Sequence, residues 1–495
     1  MVSNLGEVVP RGAPPDNPWL IEVPAAGPDR TTTFAQFHAE ADAVAAGLRR
    51  KGFERGDAIG LLAINSARYL VAYFGIMRAG LVAVPVSIKL PPETIDHIHR
   101  DARIRLMLAD ADGAARAPGL ATLRMDDDGE WGSLLADGPF ESASMRPEEF
   151  ATILYTSGST GRPKGVPLTH GGYVWTIEQL AVSGPPMQGK RVLVAAPLFH
   201  MNALVISTLA PTCGATTVLM QRFSGADYLK TAARLGCNVL TSVPTMLALA
   251  ARETELVQSL DLTRVESIFT GSAPSTDALF DRVAQIFPNA RIMNGYGTTE
   301  AGPVVFGAHP QGLPRPKLSL GYPVPSVEWR LAGGPDESQG VLRLKSKAVM
   351  PGYLNLAQAT SERIHDGWYD TGDVMRRDAD GFFFFVGRND DMFVCGGENI
   401  YPGEVEKLLE THPAVAQAVV VPVPDEIKGQ LPVAFIVVKP GSRVTEDELK
   451  QHALRHAPAY QHPRNVNFVD EMPLAGTNKV DRKLLMQDAA RRFRR

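Results

Sequence analysis

The chain has 495 residues, 44% hydrophobic and 21% charged, an ordinary globular composition with room for two or more domains. A formal net charge of −4 offers no field to attract nucleic acid or anionic lipid, and no run approaches the ~20 apolar residues of a membrane span. Residues 1–18 lack the charged-then-apolar layout of a secretion signal, and Cys213, Cys237 and Cys395 have no metal-like spacing, so a reducing, cytoplasmic setting is expected.

From Thr33, a plausible cap, Phe37, Ala41, Val44 and Leu48 recur at helical spacing up to Gly52. Residues 58–64 read as a strand, 66–79 as a helix and 82–86 as another strand, a β-α-β unit. Residues 110–150, rich in Asp, Gly, Ala and Pro and periodic in neither sense, predict an exposed connection. Strand-like runs at 192–196, 215–220, 239–243, 267–270 and 291–293, with helix-like stretches among them, predict a parallel-sheet α/β architecture in more than one subdomain. Beyond Gly381 the pattern changes to a strand at 382–386, a helix at 404–410, strands near 416–421 and 433–438, and a helix from Thr445. Thr445 and Glu448 form a capping box. This reads as a compact α+β module of about 100 residues.

Residues 151–155 form a short apolar run that predicts a buried strand. It leads into Thr156, Ser157, Gly158, Ser159, Thr160, Gly161, Arg162, Pro163, Lys164 and Gly165. Hydroxyls, backbone N–H groups and one ammonium there offer donors to phosphate oxygens, which points to an ATP-using enzyme. The pattern is not a P-loop: Pro163 stands at the second glycine position and Gly165 at the Ser/Thr position.

A second element is Asn294, Gly295, Tyr296, Gly297, Thr298, Thr299 and Glu300. Tyr296 can stack on a flat base, Thr299 can donate to a phosphate, and Glu300 can hold Mg2+ through a hard oxygen. In Tyr369, Asp370, Thr371, Gly372 and Asp373, the Asp373 carboxylate can accept both hydroxyls of a ribose, although this is also good turn chemistry. Further elements are Gly387 to Asp391, which includes Arg388 and Asp390; Gly396, Gly397, Glu398, Asn399, Ile400, Tyr401 and Pro402; and Asn478, Lys479, Val480, Asp481, Arg482 and Lys483.

In this order the motifs resemble the adenylate-forming superfamily of acyl-CoA synthetases, carrier-linked adenylation domains and luciferases, over essentially the whole chain; aryl- and acyl-CoA ligases look closest. The resemblance implies a large α/β N-terminal domain with a small β subdomain (1–387), a hinge (388–391) around Asp390, and a mobile α+β C-terminal domain (392–495). It implies that Thr156, Ser157, Gly158, Ser159, Thr160, Gly161 and Lys164 hold the β and γ phosphates of ATP. Ser272, Ala273 and Pro274 would wall the adenine and acyl sites, and Asn294, Gly295, Gly297 and Thr298 would border them, with Tyr296 on the base. Thr299 would meet the α-phosphate, Glu300 with Thr156 the Mg2+, and Asp373 with Arg388 the ribose. Lys479 would be the catalytic lysine, and Gly396 and Gly397 would line the tunnel for the pantetheine arm of coenzyme A.

The implied reaction activates a carboxylic acid as an acyl-adenylate and then passes it to coenzyme A. His200 follows Phe199 where domains that activate amino acids usually carry aspartate, which argues for a gate beside an acyl pocket and against an α-amino acid substrate. The chain ends soon after Lys479, so no fused carrier domain is expected, and a monomer or homodimer is anticipated. The acid itself stays open among aromatic, medium-chain and short branched or hydroxylated acids. Transfer to a separate carrier protein is an alternative, as is a catalytically silent nucleotide sensor.

Overall fold

The structure is a computed structural model and describes residues 2–156, 162–395, 398–458, 461–475 and 480–493. Two largely parallel sheets dominate it, as expected from short, almost wholly buried aliphatic runs such as Ala58–Leu62 and Val82–Pro85. The first sheet is six-stranded, in the order Thr122–Arg124, Ile104–Ala109, Ala58–Leu62, Val82–Pro85, Phe150–Thr156, Lys164–Thr169, and only its last pair is antiparallel. The second is seven-stranded: Arg291–Gly295, Ser267–Gly271, Val239–Ser242, Arg191–Val194, Thr216–Met220, Pro18–Val23 and Arg30–Thr33, again with one antiparallel pair at the end. One apolar core runs between them. Helix Ala67–Arg78 is buried from Tyr69 onward within it.

Helix ends follow local chemistry closely. Thr33 forms a capping box with Gln36 at the start of Phe34–Arg50, and the Ser66 hydroxyl accepts the Tyr69 N–H at 3.1 Å. Residues 110–150 contain the expected exposed connection at 137–149, but the stretch before it is structured. It contains helices Ala111–Arg116 and Asp128–Leu134, capped by Asp110 and Asp127, and the edge strand Thr122–Arg124 between them. Trp131 and Leu134 are buried in the main core; these elements are too short for a periodic pattern to emerge.

The change of pattern after Gly381 also needs correction. Strand Phe383–Arg388 pairs back onto Trp368–Arg377 in an antiparallel five-stranded sheet that also holds Glu328–Asp336, Gln339–Lys345 and Ile364–His365. The next strand, Phe393–Cys395, belongs to another five-stranded sheet with Glu398–Ile400, Gly429–Val438, Val415–Asp425 and Asn465–Phe468. Alternation along Val415–Asp425 sends Ala418 and Val420 to a core shared with Leu409 and Leu449, on helices Pro402–Glu410 and Glu446–His456. Val419 and Val421 face the opposite way, toward Leu485 and Ala489 on helix Arg482–Arg492. The capping box of Thr445 and Glu448 is present.

Two histidines, His170 buried and His38 half-buried, set an acid limit to this fold. Burial lowers the His170 pKa to about 4 while its Nδ1 accepts the Leu5 N–H at 2.9 Å; burial, then Arg78 and Arg11, lower that of His38 to about 4. Both rings stay neutral in the fold, whereas the unfolded chain protonates them below about pH 6.5. Stability is therefore expected to fall by about 1–3 kcal/mol through His170 as pH drops from about 6.5 to about 4, with a smaller, solvent-screened share from His38. Urea midpoints measured against pH should show this acid limb, and His170→Gln should flatten it.

Candidate active site

The C-terminal ends of the parallel strands converge where the sequence motifs lie. Strand Phe150–Thr156 returns directly as Lys164–Thr169, with Thr156 in register with Lys164, so the hydroxyl-rich segment connects two antiparallel neighbours instead of entering a helix. Ser157, Gly158, Ser159, Thr160 and Gly161 lie outside the described residues. The Lys164 ammonium sits over the Tyr353 ring, 5.1 Å from its centroid, and the Tyr353 hydroxyl donates to Glu300 Oε1 at 3.1 Å. The Met350 N–H donates to the Glu300 carbonyl at 2.7 Å, which ties the backbone of the second motif to the segment carrying Tyr353.

Gly271 and Gly295 end adjacent strands in register. A Cβ on Gly271 would come within 2.5 Å of the Gly295 carbonyl oxygen, so only glycine permits this approach. Ser272 follows in a left-handed conformation, φ +66°, at the start of the stretch continuing through Ala273 and Pro274. A non-glycine residue held there stores backbone strain of the kind concentrated at binding sites. Asn294 is buried and its amide donates to the Leu318 carbonyl at 2.9 Å, so its side chain braces the strand instead of facing the cleft. The Thr298 hydroxyl accepts the Ala301 N–H at 3.1 Å and closes the turn before Glu300.

The antiparallel sheet supplies the opposite wall. Asp373 and Arg388 are cross-strand partners, and their side chains meet at 2.8 Å. Asp373 is 5% exposed and also accepts the Tyr296 hydroxyl at 2.5 Å. Arg388 continues to Asp390 at 3.2 Å, and Arg363 donates to the same Asp390 oxygen at 2.6 Å. Burial works against the Arg388 charge, but Asp373 and Asp390 more than offset it and raise its pKa. Burial likewise opposes ionisation of Asp390, yet Arg363 and Arg388 hold its pKa below the usual carboxylate value.

Glu300 differs. Burial raises its pKa, the Tyr353 hydrogen bond and Arg388 only partly counter this, and among the described residues it makes no ion pair. A half-buried carboxylate without a paired cation fits a hard divalent ion.

The structure thus forms two contact clusters, Lys164–Tyr353–Glu300 and Tyr296–Asp373–Arg388–Asp390, near enough that the charges of Arg388 and Asp373 act on Glu300. His200 stands at the N-cap of helix Met201–Thr212, its ring 4.6 Å from that of Phe199. Gly396, Gly397 and Lys479 lie outside the described residues. Sequence reasoning missed Tyr353 and Arg363. The only sequence cue to Tyr353 is the Pro351-Gly352 turn before it, and Arg363 gives none, since its partner Asp390 is distant in the chain.

The AMP-binding enzyme family matches residues 9–354, and the AMP-binding enzyme C-terminal domain matches residues 404–479. A feruloyl-CoA synthase from Amycolatopsis sp is 33% identical, with 93% of this chain and 94% of that protein covered. The fatty acid–[acyl-carrier-protein] ligase ScoC of Streptomyces coeruleorubidus is 31% identical, with 92% and 91% covered. Among solved structures, the anthranilate CoA ligase AuaEII in complex with anthranoyl-AMP superposes with a TM-score of 0.89 at 27% identity, covering 99% of this chain and 98% of that one. Fold, motif order and these matches agree: the chain belongs to the AMP-binding, adenylate-forming enzyme family. Its class is that of the AMP-forming acid–thiol ligases, the acyl-CoA synthetases.

Proposed function

We propose that the chain is an ATP-dependent carboxylate–CoA ligase whose first substrates to test are aromatic acids, and that the residues above carry its two half-reactions. The observation that supports this is the approach of two contact clusters, Lys164–Tyr353–Glu300 and Tyr296–Asp373–Arg388, built from four separate motifs and close enough for Arg388 and Asp373 to act on Glu300. In the first half-reaction a carboxylate oxygen attacks the α-phosphorus of ATP and pyrophosphate leaves; in the second the coenzyme A thiolate attacks the acyl carbon and AMP leaves.

Both reactants of the first step are anions, so fixed cations in a water-poor site lower the barrier. Lys164 and the hydroxyl-rich segment from Thr156 would hold the β and γ phosphates. Tyr296 would flank the base beside Ser272, Ala273 and Pro274, Asp373 would accept the ribose hydroxyls, and Thr299 would donate to the α-phosphate. Lys479 would bridge carboxylate and phosphate. Glu300, with Thr156, would hold Mg2+, which when bound neutralises charge on the departing pyrophosphate. His200 and Asn202 would face the acid. Relatives named for ferulate and anthranilate support an aromatic acid, and the relative named for a carrier-protein substrate keeps carrier transfer as a second reading. Three free cysteines and no described helix long and apolar enough to cross a membrane fit a cytoplasmic enzyme, as monomer or homodimer.

Incubation with ATP, a panel of aromatic and aliphatic acids and coenzyme A tests the reading. Acyl-CoA and AMP should appear together with an aromatic acid; acylation of an added carrier protein without acyl-CoA would replace it.

Alternation between the half-reactions would turn the C-terminal domain about Asp390, which lies in the short helical turn Asn389–Asp391 between the last strand of one sheet and the first of the next. Asp390→Pro is expected to slow the thioester half-reaction at least ~10-fold in single-turnover assays and to spare adenylate formation. Across the same junction the Lys407 ammonium, on helix Pro402–Glu410, donates to the Phe385 carbonyl at 2.9 Å. Burial lowers the Lys407 pKa. Lys407→Ala removes that bond, so it should change the rate of one half-reaction relative to the other by about 3–10-fold, for a bond of about 1 kcal/mol, in single-turnover assays of each step.

A further inference from the structure

The seven-stranded sheet has a second charged recess at the opposite edge from the nucleotide network. A cleft of about 730 Å³ is lined by Arg191, Lys230, Arg234 and Arg264, with Leu260 as part of its apolar wall and Asp261 as the carboxylate. The volume suits a small molecule. Arg191 opens strand Arg191–Val194, and Gly236 and Arg264 precede strands Val239–Ser242 and Ser267–Gly271. Those strands lead at their other ends to His200 and Ser272, so a strand length of roughly 10–15 Å separates the recess from the proposed reaction centre.

The charges in the recess are not balanced internally. Asp29 takes the Arg234 guanidinium at 2.5 and 3.1 Å, and Asp261 Oδ1 is occupied by the Thr263 N–H and hydroxyl at 3.0 and 2.6 Å. Arg191 donates to the Leu235 carbonyl at 2.6 Å. Among the described residues Arg191, Lys230 and Arg264 make no ion pair. A helix C-terminus alone would account for Lys230 and Arg234, on helix Gly225–Arg234, but Arg191 and Arg264 come from other elements and converge on the same space.

The loop is shaped for this convergence. Gly236 is left-handed, φ +56°, and a Cβ there would stand 3.1 Å from Arg264 Nη1 and 3.3 Å from its Cδ, so the guanidinium lies across bare glycine backbone. Exposed cations from three places in the chain thus line one cleft, with Arg264 also acting on Asp261, and two guanidinium forks suit phosphate oxygens in particular.

We propose that this recess is a second binding site, separate from the nucleotide network, for a small molecule carrying a phosphoryl or diphosphoryl group. Free pyrophosphate and the diphosphate of a nucleotide share that chemistry.

Calorimetric titration of the full chain with inorganic pyrophosphate, and separately with ADP, at low ionic strength tests the site. One binding component should weaken at least 10-fold in Lys230→Ala/Arg264→Ala and should persist in Lys164→Ala, which alters only the proposed reaction centre. All of these side chains except Lys164 are exposed, so the double variant should keep its circular dichroism and its unfolding midpoint. Arg264→Lys in a Lys230 background should retain most of the binding. Tighter binding of ADP than of pyrophosphate would identify a nucleotide ligand; equal binding would identify the diphosphate as the recognised group. A single component that Lys164→Ala removes and the double variant leaves intact would overturn the proposal, whether or not the chain proves to be a ligase.

Discussion

Replacing Lys479 by alanine is expected to lower acid-dependent pyrophosphate–ATP exchange at least ~10²-fold, while thiol attack on a supplied acyl-adenylate keeps its rate. Lys479 itself lies outside the described residues, and the expectation rests on its neighbours. Leu474 and Val480 pair in an antiparallel bridge, and the Asp481 N–H donates to the Pro473 carbonyl at 2.8 Å. Arg482 is fixed to Glu406 at 2.7 Å and feels the charge of Asp391. These contacts fix the described chain on either side of the lysine segment. The repulsion between carboxylate and nucleotide is the main barrier of the first half-reaction, the step that an ammonium between the two anions would serve. Exchange kinetics and a chase from purified acyl-adenylate separate the steps. Equal loss in both would mean that Lys479 supports the loop instead of the chemistry.

How much of this was legible in the sequence depended on whether a residue acts through its own chemistry or through a distant neighbour. Thr33, Ser66 and Thr445 announce helix starts because a cap is a contact over three residues, and each is found in place. Lys164, Asp373 and Arg388 were visible because charge beside glycine is an uncommon local pattern, and Glu300 because it closes a glycine- and threonine-rich run. Asn294 was visible too but does a different job, since its bond to the Leu318 carbonyl depends on a loop more than twenty residues away. Tyr353 and Arg363 carry no local mark: one acquires its role from Lys164 and Glu300, the other from Asp390, and only the folded chain joins them. The start of the C-terminal sheet was misread for a similar reason. The aromatic run from Phe382 looks like a new module, but cross-strand pairing, which a sequence does not state, assigns it to the preceding sheet.

Asp373 is the position where a single substitution should cost ATP recognition most, and two variants separate its roles. Asp373→Ala deprives Arg388 and Tyr296 of a common acceptor. Breaking a fully buried pair costs about 3–5 kcal/mol, but the Arg388 side chain is 38% exposed and Asp390 lies 3.2 Å away, so about 1–2 kcal/mol of stability is the expected loss. Asp373→Asn keeps the shape and one acceptor oxygen, and its stability should stay near that of the parent. If the carboxylate accepts two ribose hydroxyls, however, both variants lose charge-assisted bonds of about 1.5–3 kcal/mol, and kcat/KM for ATP should fall ~10²-fold in each. Urea unfolding and ATP kinetics on the two proteins distinguish the cases. A near-normal kcat/KM in Asp373→Asn would make Asp373 a brace for Arg388 and Tyr296 and move ribose recognition elsewhere. Matching losses in both variants, with stability lost in only one, would assign the nucleotide contact to the carboxylate charge itself, which the pairing with Arg388 orients.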